Sequence, residues 1–159
     1  MKSAPRVGFG YDIHRLTVGR PLVLGGLHVE SDRGLLGHSD ADVVLHALAD
    51  AVFGAIGSGD IGEHFPDSDP ANEGLDSRQI LRAALDEAAA ASRRVSSADI
   101  TILAERPKLG PLKAEIRQSV ADLLALPLEA VGLKARTNEG LGSIGRQQAI
   151  ACYAVVVLA

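Results

Sequence analysis

Apolar residues change their spacing repeatedly along this chain of 159 residues, and each change predicts an element. Val7 and Phe9 lead into Asp12 and His14 as a short strand, whose alternation sends Asp12 and His14 to one face. Pro21 to Leu24 and Leu27 to Glu30 flank Gly25 and Gly26, a pair suited to a two-residue hairpin. From Ala41 to Phe53 the chain is apolar almost all round, as in a buried helix, and its polar residues Asp42, His46 and Asp50 stand four apart on one stripe. A glycine-rich loop, Gly57 to Pro70, follows. Asp76 or Ser77 caps a second helix, with Ile80, Leu81, Ala84, Leu85 and Ala88 inward and Arg78, Arg82 and Glu87 outward. Ile100 and Ile102 alternate with Thr101 and Leu103 as a strand. Pro111 opens a third helix with Leu112, Ile116, Val120, Leu123 and Leu124 on one side, ended by Pro127. Val131 to Ala135 alternates again, whereas Ala149 to Leu158 is a continuous apolar run, expected to be buried on both faces. The expected architecture is α+β: a mixed four-stranded main sheet with helices packed on one face, plus a small N-terminal hairpin, in a single domain over 1–159.

Composition narrows the class. At 47% hydrophobic residues the chain can bury a core of its own. A net charge of -4 and 3% aromatics argue against nucleic-acid binding, which calls for a basic face and stacking platforms. No apolar run approaches a membrane span, and Met1 to Arg6 lacks a signal-peptide core, so a soluble, cytoplasmic protein is expected. Cys152, within the last apolar run, reads as a small core residue.

The polar residues inside apolar elements carry the chemistry. Buried carboxylates and imidazoles are costly unless paired or bound to a cation. A catalytic zinc takes three protein ligands and keeps a fourth position open, and Asp12, His14 and His46 are candidates for those three. The spacing alone leaves a structural reading beside this one. Ser39 reads as an N-cap with Asp42 three residues on as a capping box, which makes Asp42 structural. Asp50 is either a partner that orients a ligand imidazole or a buried acceptor.

Three loops hold polar residues that folding does not demand. Glycines in Gly57 to Pro70 let backbone amides approach a ligand, although Pro70 and Ala71 break any calcium-loop pattern begun by Asp67 and Asp69. Ala104 to Pro111 holds Lys108 behind Pro107. Thr137 to Arg146 mixes an acid, hydroxyls and an arginine among glycines, a mixture suited to phosphate plus a hard cation: Arg146 for phosphoryl oxygens, Glu139 for magnesium. Gly8 and Gly10 do not make a dinucleotide fingerprint, since the third glycine and the following helix are missing.

Five strings fall together in one known order and spacing. They are GYDIH (Gly10 to His14), HSDADVVLHALADA (His38 to Ala51), GDIGEHFPDSDP (Gly59 to Pro70), the pair Pro107 and Lys108, and TNEGLGSIGR (Thr137 to Arg146). Over nearly its whole length the chain resembles the 2-C-methyl-D-erythritol 2,4-cyclodiphosphate synthase family. The resemblance implies a homotrimer with active sites between neighbouring subunits, zinc on Asp12, His14 and His46, and magnesium or manganese on Glu139. It implies 4-diphosphocytidyl-2-C-methyl-D-erythritol 2-phosphate as substrate, with the cyclic diphosphate and CMP as products.

By the same resemblance His38 and Thr137 stabilise the transition state, and Asp12, His14, His38 and Ser39 face the phosphate. Asp60, Ile61, Gly62, Phe65, Pro66, Asp67, Ser68 and Asp69 hold the methylerythritol phosphate. Ala104, Pro107, Lys108, Leu109, Gly110, Arg136, Thr137, Asn138 and Glu139 hold the cytidine diphosphate, and Ser143 and Arg146 complete the set near the trimer axis. Arg136 stands where threonine is common in the family, Ser143 where phenylalanine is common, and Gln148 where glutamate often follows the arginine. Two rival readings are a zinc-dependent phosphohydrolase, in which zinc-bound water attacks a diphosphate, and a non-catalytic oligomer that binds isoprenoid diphosphates.

Overall fold

The computed structural model describes residues 4–159, so the reading of Met1 to Arg6 falls partly outside the described residues. Seven strands and five helices follow in the order β1 (Arg6–Val18), β2 (Leu22–Leu24), β3 (Leu27–Val29), β4 (Arg33–Leu36), α1 (Val43–Ile56), α2 (Ile61–His64), α3 (Ser77–Ala90), β5 (Val95–Leu103), α4 (Lys113–Leu124), β6 (Val131–Arg136), α5 (Gly142–Gly145) and β7 (Ala149–Leu158). The main sheet runs β4-β1-β7-β5-β6, antiparallel except for β5 and β6, which are parallel and joined through α4. The expected four strands are therefore five. The extra one, β4, is a four-residue edge strand of sequence Arg-Gly-Leu-Leu, too short to show a period and held by pairing with the far end of β1. That pairing also makes β1 thirteen residues long rather than short.

The hairpin forms where expected. β2 pairs with β3 across Leu24 and Leu27, and Gly25 and Gly26 both take positive φ, as a tight two-residue turn requires. Its turn packs on α4, where Ser119 Oγ donates to the Gly25 carbonyl at 2.6 Å.

Helix α1 is the centre of the core. Eleven of its residues are buried, and each fully buried Leu, Val or Phe contributes about 1.5–3 kcal/mol, which offsets the desolvation of the few polar groups it carries. It lies against β1 and β7, with α3 on its other side. Gly8 and Gly10 permit this contact. A Cβ at Gly10 would fall 1.9 Å from the Ala47 carbonyl oxygen, and one at Gly8 only 1.7 Å from that of Ala51, so helix and strand meet backbone to backbone.

The cap of α1 differs from the expectation. Asp42, not Ser39, is the N-cap, and its carboxylate takes N–H bonds from Val44 and Leu45 and also from Gly25 and Gly26 of the hairpin turn. Asp42 is structural, as read, and it ties the helix start to the hairpin.

β7 is buried on the helix side through Ile150, Cys152, Ala154, Val156 and Leu158, but Tyr153 and Val155 on its other side are exposed in the single chain. The expectation of burial on both faces holds at Ala149 and Ala151, which pack on Ile144 of α5, and fails at Tyr153 and Val155, where no helix among the described residues covers the outer face. That face carries Val7, Phe9, Tyr11 and Ile13 of β1 beside Tyr153 and Val155, with Tyr11 and Tyr153 rings 5.0 Å apart. It is an apolar patch of six neighbouring side chains. No helix among the described residues is long and apolar enough to cross a membrane.

Candidate active site

The backbone contact between α1 and β1 sets the site. Because Ala47 sits on Gly10, His46 arrives beside Asp12 and His14, which alternation has already placed on the same face of β1. Asp12 Oδ2 lies 2.9 Å from His14 Nε2 and 3.0 Å from His46 Nδ1, and the two imidazole nitrogens are 3.3 Å apart. Ligand bonds of about 2.0–2.1 Å at tetrahedral angles put donor atoms about 3.3 Å apart, so the triangle has the dimensions of three zinc donors.

The surrounding groups aim these nitrogens. His14 Nδ1 lies 2.8 Å from the Leu36 carbonyl, which can only accept, so the neutral ring carries its proton there and presents Nε2 bare. His46 Nε2 lies 2.9 Å from Ser77 Oγ and 3.1 Å from Ser39 Oγ. The Ser77 hydroxyl donates to Asp40, which leaves its oxygen free to accept from His46 and leaves Nδ1 bare. Two bare nitrogens and a carboxylate thus converge, an arrangement that calls for a proton or a cation between them. Without a metal, a proton takes that role: burial opposes the charge on Asp12, yet both imidazoles outweigh it and hold the carboxyl at about 2. For His14 burial favours the neutral ring, and Asp12 outweighs it and raises the imidazole above its ordinary value.

The donor triad lines a cavity of about 580 Å³. Its walls include His38, Ser39, Asp50, Ile61, Gly62, Phe65, Pro66 and Asp67, with Asn72, Leu75 and Ile80. His38 lines the cavity, and its Nε2 is buried with no hydrogen-bond partner among the described residues, an unsatisfied polar group at the cavity wall. Asp60 caps α2 through Glu63 N, and Asp69 caps the turn Pro70–Asn72 through Ala71 N. With Ser68 these two belong to the same segment but do not line the cavity.

The rest of the expected site lies elsewhere. Asp12 shares a row of the sheet with Cys152, Ile102 and Ala135, so at about 4.8 Å per strand its Cα is about 14 Å from the end of β6. Arg136 to Glu139 leave β6 beside Ala104 to Gly110, which leave β5. Glu105 joins the two by accepting from Asn138 N at 2.8 Å and Gly140 N at 3.2 Å. Thr137 Oγ1 and the Glu139 carboxylate lie 3.4 Å apart. Pro107 and Lys108 line a second cavity of about 380 Å³ with Arg33 and Arg106, whereas Ala104 and Leu109 are buried in the core. Ser143 lies in α5 and Arg146 directly after it, both exposed. None of these residues lines the cavity of the triad.

One reading of a single residue changes: Ser39 is buried against His46 rather than capping α1. Of the two readings of Asp50 the acceptor holds, since it takes the Ile61 N–H at 2.8 Å. Sequence reasoning also missed the part of Ser77 and Asp40 in aiming His46. A signal existed, because Ser77 falls on the inward stripe of α3 with Ile80, Leu81, Ala84 and Ala88 and is fully buried there.

The sequence model of the YgbB family matches residues 5–159. This chain belongs to the YgbB family. Relatives of this YgbB-family chain include the 2-C-methyl-D-erythritol 2,4-cyclodiphosphate synthase of Bordetella pertussis, 54% identical over 97% of this chain and 95% of that protein. The synthase of the same name from Symbiobacterium thermophilum is 52% identical over 96% of this chain and 98% of that protein. A solved 2C-methyl-D-erythritol-2,4-cyclodiphosphate synthase in a CDP-bound form superposes with a TM-score of 0.90, at 42% identity, covering 97% of this chain and all 100% of that one.

Proposed function

We propose that this chain converts 4-diphosphocytidyl-2-C-methyl-D-erythritol 2-phosphate to 2-C-methyl-D-erythritol 2,4-cyclodiphosphate and CMP, as a cyclising phosphorus–oxygen lyase over a single domain, 1–159. The observation that carries it is the triad of Asp12, His14 and His46, with separations of 2.9–3.3 Å, opening into the cavity of His38 and the Ile61 to Asp67 wall in a chain of this family.

The substrate's 2-phosphate attacks its own β-phosphorus. A phosphorus–oxygen bond forms there as the bond to the CMP oxygen breaks, so no side chain need act as nucleophile and positioning does most of the work. Asp12, His14 and His46 would hold zinc and Glu139 would hold magnesium or manganese; when bound, these cations supply Lewis acidity and neutralise charge on the diphosphate. His38 offers its unpartnered Nε2 to a phosphoryl oxygen, and Ser39, beside it, orients His46. Asp60 to Gly62 and Phe65 to Asp69 form the methylerythritol side of the pocket. Thr137 serves the transition state from the other loop, where Ala104 to Gly110 and Arg136 to Glu139 take the cytidine diphosphate. Ser143 and Arg146 stand at the edge of that half.

In one chain Thr137 and Glu139 lie outside the cavity of the triad, which supports sites built between neighbouring subunits of a homotrimer. The apolar outer face of β1 and β7 supports the same assembly, since Val7 and Phe9 are 66% and 61% exposed in the single chain. We place this metabolic enzyme in the cytoplasm.

Phosphorus NMR of the cytidyl substrate with protein, zinc and magnesium is the test. A cyclic diphosphate with CMP is the expected product. Linear phosphates alone would instead favour the phosphohydrolase, and binding of an isoprenoid diphosphate without turnover would favour the non-catalytic oligomer.

A further inference from the structure

One face of α1 carries more than a metal donor. His46, Asp50 and Phe53 stand at i, i+4 and i+7, so they share a stripe about 10 Å long at 1.5 Å per residue. Each meets a different part of the pocket. His46 belongs to the triad, while Asp50 accepts from Ile61 N at 2.8 Å and so fixes the start of α2.

The third contact is His64, the last residue of α2. Its ring stacks on the fully buried Phe53 with centroids 4.0 Å apart and planes within 5°. Its Nε2 lies 2.7 Å from the Ser58 carbonyl, which closes the segment on itself. The Ser58 hydroxyl in turn donates to Glu87 of α3, and the Glu87 carboxylate stands 3.8 Å from His64 Nδ1.

These fasteners act beside the packing of Ile61 and Phe65 on the core. α2 is four residues long with none of them buried, yet its Ile61 and Gly62, with Phe65, Pro66 and Asp67 directly after it, form a wall of the cavity. A short helix with no fully buried residue takes much of its position from such contacts.

We propose that His64 is a positioning residue: through the Phe53 stack and the Ser58 carbonyl it holds the Ile61 to Asp67 wall in register with the metal triad, with α1 as the ruler between them. His64 lines neither the cavity nor the triad and touches no substrate. The inference rests on the synthase reading, because the wall is the methylerythritol side of that substrate's pocket.

The experiment is steady-state kinetics of wild type, His64→Ala, His64→Gln and Glu87→Ala with the cytidyl substrate, alongside zinc titration and Tm. Wild-type turnover comes first, and its absence would defeat the synthase reading rather than this one. His64→Ala is expected to raise KM about tenfold with kcat within about twofold and zinc affinity unchanged. His64→Gln, which keeps a donor for the Ser58 carbonyl, recovers part of the loss. Glu87→Ala, which unties Ser58 but leaves the stack, raises KM by a smaller factor of about three and keeps the test open should His64→Ala not fold. An unchanged KM in the variants overturns the proposal. So does a parallel fall of kcat, zinc affinity and Tm, which would make His64 a general structural residue.

Discussion

The two halves of the proposed site are built in opposite ways. Around Asp12, His14 and His46 the donors are at least partly buried, their tautomers are set by the Leu36 carbonyl and Ser77, and a cavity opens in front of them. Around Thr137 and Glu139 the loop is exposed: Arg136, Glu139, Ser143 and Arg146 all face outward, and Glu105 supplies the main tie to the neighbouring loop. The first half is pre-organised within one chain, as a site that must hold a cation with fixed geometry needs to be. The second half is an exposed surface, which in the proposed homotrimer would meet its opposite wall on a neighbouring subunit. The contrast would then separate what a folded subunit supplies from what assembly supplies.

The largest effect should come from the first half. His46→Ala removes one of the three proposed metal donors and the end of the α1 stripe, and CMP release is expected to fall by about a thousandfold or more, with zinc lost from the isolated protein. Metal analysis and a CMP assay check this together, and full activity in the variant would remove zinc from the mechanism.

Combining the halves gives the next largest effect. Chains with His46→Ala and chains with Glu139→Ala, each inactive alone, should regain activity when unfolded and refolded together. Random mixing leaves roughly a quarter of inter-subunit sites with both halves intact. Activity that stays at the level of the separate variants would place both halves in one subunit and erase the contrast.

The smallest effect is one of pH on the first half. In the metal-free protein, the raised imidazole of His14 adds stability fully present below its ordinary value of 6.5 and lost as pH rises through the folded value. The depressed carboxyl of Asp12 adds stability present above its ordinary value of 3.8 and lost as pH falls towards about 2. Zinc must displace the His14 proton, so its affinity should weaken by about tenfold per pH unit below that raised value. Competition with a chelator at several pH values reads this directly, and a flat profile would exclude His14 as a donor.

Much of this was legible in the chain. The paired glycines of the hairpin, the strand that alternates into Asp12 and His14, and the stripe of Asp42, His46 and Asp50 all follow from local backbone periods. Strand β4 was not legible, because a four-residue edge strand is decided by its neighbour rather than by its own pattern. Ser39 illustrates the same limit from another side. It is a good capping residue by type, yet the helix begins at Val43 because Asp42 satisfies four amides at once, two of them from a hairpin sixteen or seventeen residues away in sequence. The solvent-facing side of β7 misled in a further way, since an apolar run reads as buried whether a helix or another subunit covers it.

The sequence by itself determined the longer elements, the faces on which their polar residues stand and, through five strings in order, the family to which the chain belongs. Those features depend on periods of two and 3.6 residues and on residue identity, which need no knowledge of distant contacts. Only the tertiary structure decided that His46 meets Asp12 and His14 within 3.3 Å, which nitrogen each imidazole presents, and that Thr137 and Glu139 stand apart from them. These depend on how closely α1 lies on β1, a distance set by missing side chains at Gly8 and Gly10, and on how many strands separate β1 from β6.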